Sequence, residues 1–333
     1  MAGGQERALR RRIRSVQSTK KITKAMELIA ASRIVRAQAR VAAARPYSEQ
    51  ITEVIRNLAA AGAGSGSALL QPRDEVRRVA YVVVTADRGL AGGYNANVNR
   101  TAERAIRADQ GLGRDHALYL LGKKGLNYFT FKHYRVDRSW VGNSENPTYE
   151  YAREVAAEIM GRYEEGDIDQ VELVYTQFLS VASQRVQQRR FLPLESAALG
   201  AAAPEGPSAD YEFEPAPGAI LDQIVPRYVE SRLFAALLDA AASEQAARQR
   251  AMKSATDNAD ELIKVLTRQM NRARQDSITG EIIEIASGAE ALAAAAAGET
   301  DYLHDRIEDP DLFHPWERQL DRRAHPHQEL PLQ

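Results

Sequence analysis

QERALRRRIRSVQSTKKITKAMELIAASRIVRAQARVAAAR, Gln5 to Arg45, holds neither Gly nor Pro and is rich in Ala, Arg, Ile and Gln. Nothing in it breaks a helix, and at ~1.5 Å per residue the helix would be roughly 60 Å long. Leu9, Ile13 and Val16 open an alternating four-three spacing that Ala30, Ile34, Ala37, Val41 and Ala44 resume. That repeat is the seam of a coiled coil. Between its halves the seam positions are Lys20, Thr23 and Glu27, while Ile22, Met26 and Ile29 carry the apolar stripe to another face. Pro46 is expected to kink or end this helix, because its ring clashes with the preceding turn.

A partner for that seam lies at the other end of the chain. From Arg227 to Ser287 there is one Gly, Gly280, and no Pro, which implies a rod of roughly 90 Å. Met252, Ala255, Ala259, Leu262, Leu266 and Ala273 repeat at three-four spacing, with Gln269 as a polar seam position. Pro226 is placed to start this helix and Gly288 to stop it. Two seams at opposite ends of one chain predict an intramolecular antiparallel coiled coil.

The middle of the chain alternates differently. Val79–Thr85, Ala117–Leu121, Val171–Phe178 and Arg189–Leu194 read as strands, and Ala96–Ala108 and Tyr149–Tyr163 as helices. Strand-helix alternation predicts a small, largely parallel, Rossmann-like α/β sheet. The expected organisation is a coiled-coil helix at 1–60, an α/β domain at 75–197, a Pro-rich linker at 198–218, a second coiled-coil helix at 219–290 and a tail at 298–333. The fold class is α/β with a long two-helix coiled coil.

Charge is distributed by region. Net charge over the 333 residues is −1, but residues 1–45 carry twelve Lys or Arg against Glu6 and Glu27. Residues 298–333 carry nine acids against four Arg. A basic beginning and an acidic end mark regions with separate jobs. The tail combines low apolar content with several prolines and is expected to be disordered. With no Cys, thiolate metal sites, disulfides and cysteine nucleophiles are excluded. No apolar run approaches the ~20 residues that span a bilayer, and charged helical sequence begins by Glu6 with no secretory core. A soluble chain with a peripheral membrane role is expected.

Catalytic equipment is sparse. The loop DRGLAGGYN, Asp87 to Asn95, follows the first strand, where a dinucleotide phosphate would sit. Its glycines are spaced G-x-x-G-G rather than G-x-G-x-x-G, and no Lys-Ser or Lys-Thr follows, so a tight structural turn is the expectation. The cations Arg10, Arg11, Arg12, Arg14, Lys20, Lys21 and Lys24 have no aromatics among them, unlike a nucleic-acid footprint. Four of six His lie in the tail (His304, His314, His325 and His327), without acidic or Cys ligands at metal-like spacing. His116 and His133 alone remain for a hydrolase base, and no triad suggests itself. No cofactor and no metal is expected.

Three segments together resemble the gamma subunit of rotary, F-type ATP synthases: RSVQSTKKITKAMELIAASR, Arg14–Arg33; VTADRGLAGGYN, Val84–Asn95; and EQAARQRAMKSATDNA with ARQDSITGEIIEIASGA, Glu244–Ala259 and Ala273–Ala289. The likeness covers roughly residues 5–292 and is bacterial in kind, with an extra C-terminal tail. It implies a non-catalytic rotor shaft of a proton-translocating ATP synthase, at the cytoplasmic face of the bacterial cell membrane. It implies as partners three alpha and three beta subunits, an epsilon subunit and a ring of c subunits, with membrane association through the complex alone and no nucleic acid. The terminal helices would form a bent coiled coil inside the alpha–beta hexamer, and the α/β domain a foot.

Residue by residue, the resemblance implies rotor–stator contacts at Lys24 and Met26, with Arg248 on the facing helix. Arg274 and Gln275 would act as a catch on a beta-subunit loop, with Thr279 and Glu281 close by. Ile278, Ile282, Ile283 and Ile285 would fill an apolar bearing at the shaft tip, and Tyr211, Phe213 and Glu214 would lie in the foot near the c-ring. Position 91 is Ala where many relatives have Cys, and no dithiol insert is present, so thiol regulation is not available. The acidic tail lies outside the resemblance; it is expected to leave the apolar sleeve, where its desolvation would be costly, and to be either a passive extension or a latch on the rotor. Two other readings compete: an α/β nucleotide-binding enzyme with helical extensions, and a coiled-coil scaffold or adaptor.

Overall fold

The computed structural model describes residues 2–60, 67–194 and 217–298. Its elements are α1 (Ala2–Ala60), a 3-10 turn (Ala68–Leu70), β1 (Arg78–Val84), α2 (Tyr94–Gly111), β2 (Asp115–Leu121), α3 (Lys123–Phe131), β3 (Arg138–Trp140), α4 (Tyr149–Glu164), β4 (Gln170–Phe178), β5 (Gln184–Leu192) and α5 (Pro217–Gly298). The expected linker at 198–218, Tyr211, Phe213 and Glu214, and the tail beyond Gly298 fall wholly or almost wholly outside the described residues.

The sheet runs β3-β2-β1-β4-β5. β1 is central and pairs in parallel with β2 and β4, with Val82 opposite Tyr119 and Leu173. Its sequence RVAYVVV is buried almost end to end, as a strand covered on both faces must be. Alternate residues go to opposite layers. Val79, Tyr81 and Val83 pack with Val98, Ile106 and Phe129 of α2 and α3. Ala80, Val82 and Val84 join Val155 and Ile159 of α4, Ile55 and Leu58 of α1, and Leu233 and Leu237 of α5. Both terminal helices are thus anchored in the core on one side of the sheet.

The sheet is largely parallel as expected, with β5 pairing antiparallel to β4 at one edge. Other features differ from the sequence expectation. The short elements α3 and β3 are additional, and β3 pairs through only three residues. Pro226 lies inside α5 rather than at its start, and Pro46 lies within α1 without ending it. Pro46 faces solvent, where the carbonyl that its missing N–H leaves unpaired can be hydrated. Gly288 does not stop α5, which continues to Gly298.

The described residues divide into two compact units, one within 16–262 and one made of 2–15 with 263–298. In the larger unit α1 and α5 run antiparallel: Thr23 Oγ1 lies 2.8 Å from Thr256 Oγ1, and Lys20 Nζ lies 2.5 Å from Asp260 Oδ1. Residue numbers rise on one helix as they fall on the other. On α1, Thr23, Ala30 and Ile34 are buried, so the seam passes through its polar middle without changing face. On α5, Met252, Thr256 and Ala259 are buried. Among the described residues of the smaller unit, Ile13, Leu266 and Ala273 are buried.

The α5 seam is a correction in phase. Its inward residues are Met252, Thr256, Ala259, Ile263, Leu266, Met270 and Ala273, whereas Leu262 and Gln269 are exposed. A 3.5-residue repeat can step by three or four first. Thr256 decides it, because its hydroxyl meets Thr23 and also donates to Met252 O at 2.8 Å.

Candidate functional site

The Gly-rich loop between β1 and α2 is tied down by its own chain. Ala86 N donates to Asn95 Oδ1 at 2.8 Å, Asp87 N to Ser144 Oγ at 2.9 Å, and Tyr94 N to Ala91 O at 3.2 Å. Asp87 accepts from Lys123 N and Ser144 N, each at 3.0 Å. Burial alone would raise its pKa, but the backbone donors of Gly142, Ser144 and Lys123 outweigh that and hold it below the usual carboxylate range. The Ala86, Asp87 and Tyr94 N–H groups are thus taken up within the chain and are not free for a phosphate.

What the loop receives instead is α5. Tyr94 Oη donates to Ala240 O at 3.2 Å, and Ala86, Ala91 and Tyr94 form a small core against Ala247. Gly92 has φ +56°, and a Cβ there would stand 3.6 Å from the Ala251 methyl. Arg248 Nη2 donates to Gly89 O at 3.3 Å and to Glu244 Oε1 at 2.6 Å. The run of small residues Ala240, Ala247 and Ala251 lets the helix lie close over the turn.

Arg248 therefore needs reassignment. Its side chain is 7% exposed and pairs with a Glu244 side chain that is 1% exposed. A guanidinium so enclosed has little surface left for a stator, and it joins helix to loop within the chain. Burial raises the Glu244 pKa even though Arg248 lowers it, so desolvation is the larger effect.

The other predicted residues are at the surface or near it. Lys24 is exposed, with Nζ 3.0 and 3.1 Å from the two carboxylate oxygens of Glu27, and Met26 is half-buried. Both flank Thr23. Arg274, Gln275, Thr279 and Glu281 are exposed on α5, where Ser277 Oγ donates to Glu281 Oε1 at 3.3 Å. Ile278, Ile282, Ile283 and Ile285 share that segment, with Ile285 73% exposed. On α1, Ile22, Leu28, Ile29 and Val35 are all more than half exposed. Leu28 and Val35 escaped the sequence reading; the available signal was apolar residues at positions where a two-helix coil in water places charge.

Among the described residues no group of His, Cys, Asp and Glu could hold a metal ion, and no helix is long and apolar enough to cross a membrane.

A family model described as ATP synthase matches residues 5–292. The chain is 51% identical over 295 residues to the ATP synthase gamma chain of Frankia casuarinae, covering 87% of this chain and 99% of that one. It is 50% identical over 303 residues to the ATP synthase gamma chain of Mycolicibacterium smegmatis, covering 87% and 98%. Among solved structures, it resembles a chain in the cryo-EM structure of the Euglena gracilis mitochondrial ATP synthase, OSCP/F1/c-ring. That likeness has TM-score 0.65 and 18% identity, covering 88% of this chain and 96% of that chain. A chain of the Tetrahymena thermophila mitochondrial ATP synthase central stalk/c-ring is similar with TM-score 0.54 and 24% identity, covering 70% and 99%.

Proposed function

The chain belongs to the ATP synthase gamma-chain family, and from that premise we propose how its residues serve the central stalk. It is the rotor shaft of an ATP synthase, a non-catalytic subunit that couples ion-driven rotation of the c-ring to ATP synthesis on the beta subunits. Its partners are three alpha and three beta subunits, the epsilon subunit and the c-ring. The complex is membrane-bound, and we place this subunit at the cytoplasmic face of the bacterial membrane.

The observation that carries the mechanical reading is apolar surface left open on both helices. Ile22, Leu28, Ile29 and Val35 on α1, and Ile278, Ile282, Ile283 and Ile285 on α5, face outward. Exposed apolar area of this extent marks a surface made to be covered. A sleeve of surrounding subunits covers it without locking it, since dispersion contacts have no preferred direction about the axis. One asymmetric shaft then presents different contacts to three beta subunits, and only differential contacts can shift each toward a different nucleotide affinity.

Within that scheme Lys24 and Met26 touch the stator, and Arg274 and Gln275 form the catch, with Thr279 and Glu281 beside them. The four isoleucines 278, 282, 283 and 285 are the bearing. Arg248 braces α5 against the loop at Gly89 and transmits torque from the α/β domain to the shaft. Tyr211, Phe213 and Glu214, outside the described residues, are assigned to the c-ring side of the foot. A tagged chain should co-purify with six larger subunits and ATPase activity; recovery of the folded chain alone from its own host would reject this reading.

A further inference from the structure

A cavity of about 310 Å³ lies between α1, the loop before α4 and α5, all within the larger unit. Its chemistry is cationic. Arg33, Arg36 and Arg40 line one side, Glu145 and Asn146 another, and Gln245 a third. Arg33 Nη1 donates to Glu145 Oε2 at 2.6 Å, Arg40 donates to Asn146 Oδ1 and Pro147 O, and Arg36 Nη2 donates to Ser32 Oγ at 3.3 Å rather than to a carboxylate. Glu145 also stands 3.7 Å from Arg88 and 3.8 Å from Arg248. Guanidiniums therefore outnumber carboxylates around this space.

Gln245 adds the informative detail. It is 2% exposed, yet neither its amide nitrogen nor its amide oxygen has a hydrogen-bond partner. A buried amide left wholly unpaired costs stability, so each such group calls for a reason. Arg248 Nη1, one helical turn away, is buried and makes no hydrogen bond, its carboxylate neighbour Glu145 standing 3.8 Å off. The neighbouring Leu238 and Ala241 make the wall beside the amide apolar, which strengthens any polar contact formed there.

We propose that this cavity binds a small phosphate-type oxyanion. Arg36 and Arg40 supply charge-assisted donors to its oxygens, and the Gln245 NH₂ donates to another. The decisive feature is the amide oxygen, which requires a donor from the ligand. Phosphate near neutral pH retains a P–OH proton and satisfies it, whereas sulfate and a carboxylate have no proton to give. Either orientation of the amide meets the same requirement. Bound there, the anion bridges α1, the Glu145 loop and α5, and it ties together the two helices where they leave the α/β domain.

Calorimetric titration of the full chain with sodium phosphate and sodium sulfate, at matched ionic strength, tests this. Phosphate should bind more tightly by about tenfold, equivalent to about 1.4 kcal/mol. Gln245→Leu should abolish that preference while retaining anion binding, and Arg36→Gln should weaken both anions about tenfold or more. Circular dichroism checks that each variant is folded, and the phosphate-to-sulfate ratio of the unmodified chain stands whether or not they are. Equal affinity for the two anions, or no phosphate binding by the folded chain, overturns the proposal. So does a Glu-rich peptide that displaces phosphate and binds more tightly, since it would reassign the cavity to an acidic protein segment.

Discussion

Thr23 and Thr256 face each other across the helix pair with their hydroxyl oxygens 2.8 Å apart, both buried. Each hydroxyl also reaches a carbonyl of its own helix, Lys20 O at 3.0 Å and Met252 O at 2.8 Å. Two donors and several acceptors are thus shared in a seam whose other buried members are Ala, Ile, Leu and Met. Such a polar pair favours one register over its neighbours, as a single polar seam residue does in coiled coils.

Replacing Thr23 with Val should cost about 1 kcal/mol, the net value of one hydrogen bond. Replacing both Thr23 and Thr256 with Val should cost less than the sum of the two single losses, because the bond they share is lost only once. Urea midpoints of the two single variants and the double variant measure the coupling. Additive losses in the double variant would mean that the two hydroxyls do not act as a pair.

Arg248→Ala should destabilise the α/β domain strongly, by about 3–5 kcal/mol, because it leaves Glu244 buried without its partner. Arg248→Ala with Glu244→Gln should regain part of it. Thermal unfolding of the full chain reads both. A single variant as stable as the parent, with impaired coupling in the complex, would return Arg248 to the stator interface.

Asp239 is held up at a pKa of about 6, first by burial, against the lowering effects of Arg189, Arg45 and the Phe178 N–H. Its folded pKa exceeds its unfolded one, so the native state binds more protons between the two values. Stability from this group is therefore fully present at low pH and declines as pH rises toward about 6. Asp239→Asn should stabilise the chain at pH 7 by on the order of 1 kcal/mol, after discounting for solvent screening. It should have little effect near pH 4. Melting temperatures across that range provide the check, and an equal gain at both ends would contradict the assignment.

Replacing Arg274 and Gln275 together with Ala should leave the complex assembled and its coupling weakened. Contacts of this kind are worth about 1.5–3 kcal/mol each when a charge is involved, and the shaft has many others. ATP synthesis and proton pumping by membranes carrying the double variant test it. Parental values for both would remove these residues from the catch.

Legibility in the sequence followed the length and regularity of each element. Ile13, Thr23, Ala30 and Ile34 could be placed on the α1 seam because a heptad repeat sustained over many turns leaves little freedom of phase. The α5 phase could not, since Ala255 and Thr256 fit equally until the Thr23 hydroxyl selects one. β3 is three residues long, and α3, KKGLNYFTF, mixes aromatic and polar residues in nine positions; neither has room to display a period. Pro46 and Pro226 follow local rules that the packing of Ile55, Leu58, Leu233 and Leu237 overrides. The burial of Arg248 was illegible for another reason. It arises from a contact with Gly89, distant in sequence, which no spacing reveals.

The central claim is that this chain rotates inside a ring of other subunits, and its lack of Cys makes a direct test clean. Ile22 is 59% exposed on α1, so Ile22→Cys introduces one accessible thiol without opening the core. A matching Cys on the adjoining stator subunit, oxidised to a disulfide in the assembled complex, should stop ATP hydrolysis, and reduction should restore it. Full hydrolysis with the cross-link formed in every complex would contradict the account, because a shaft bonded to its sleeve cannot turn.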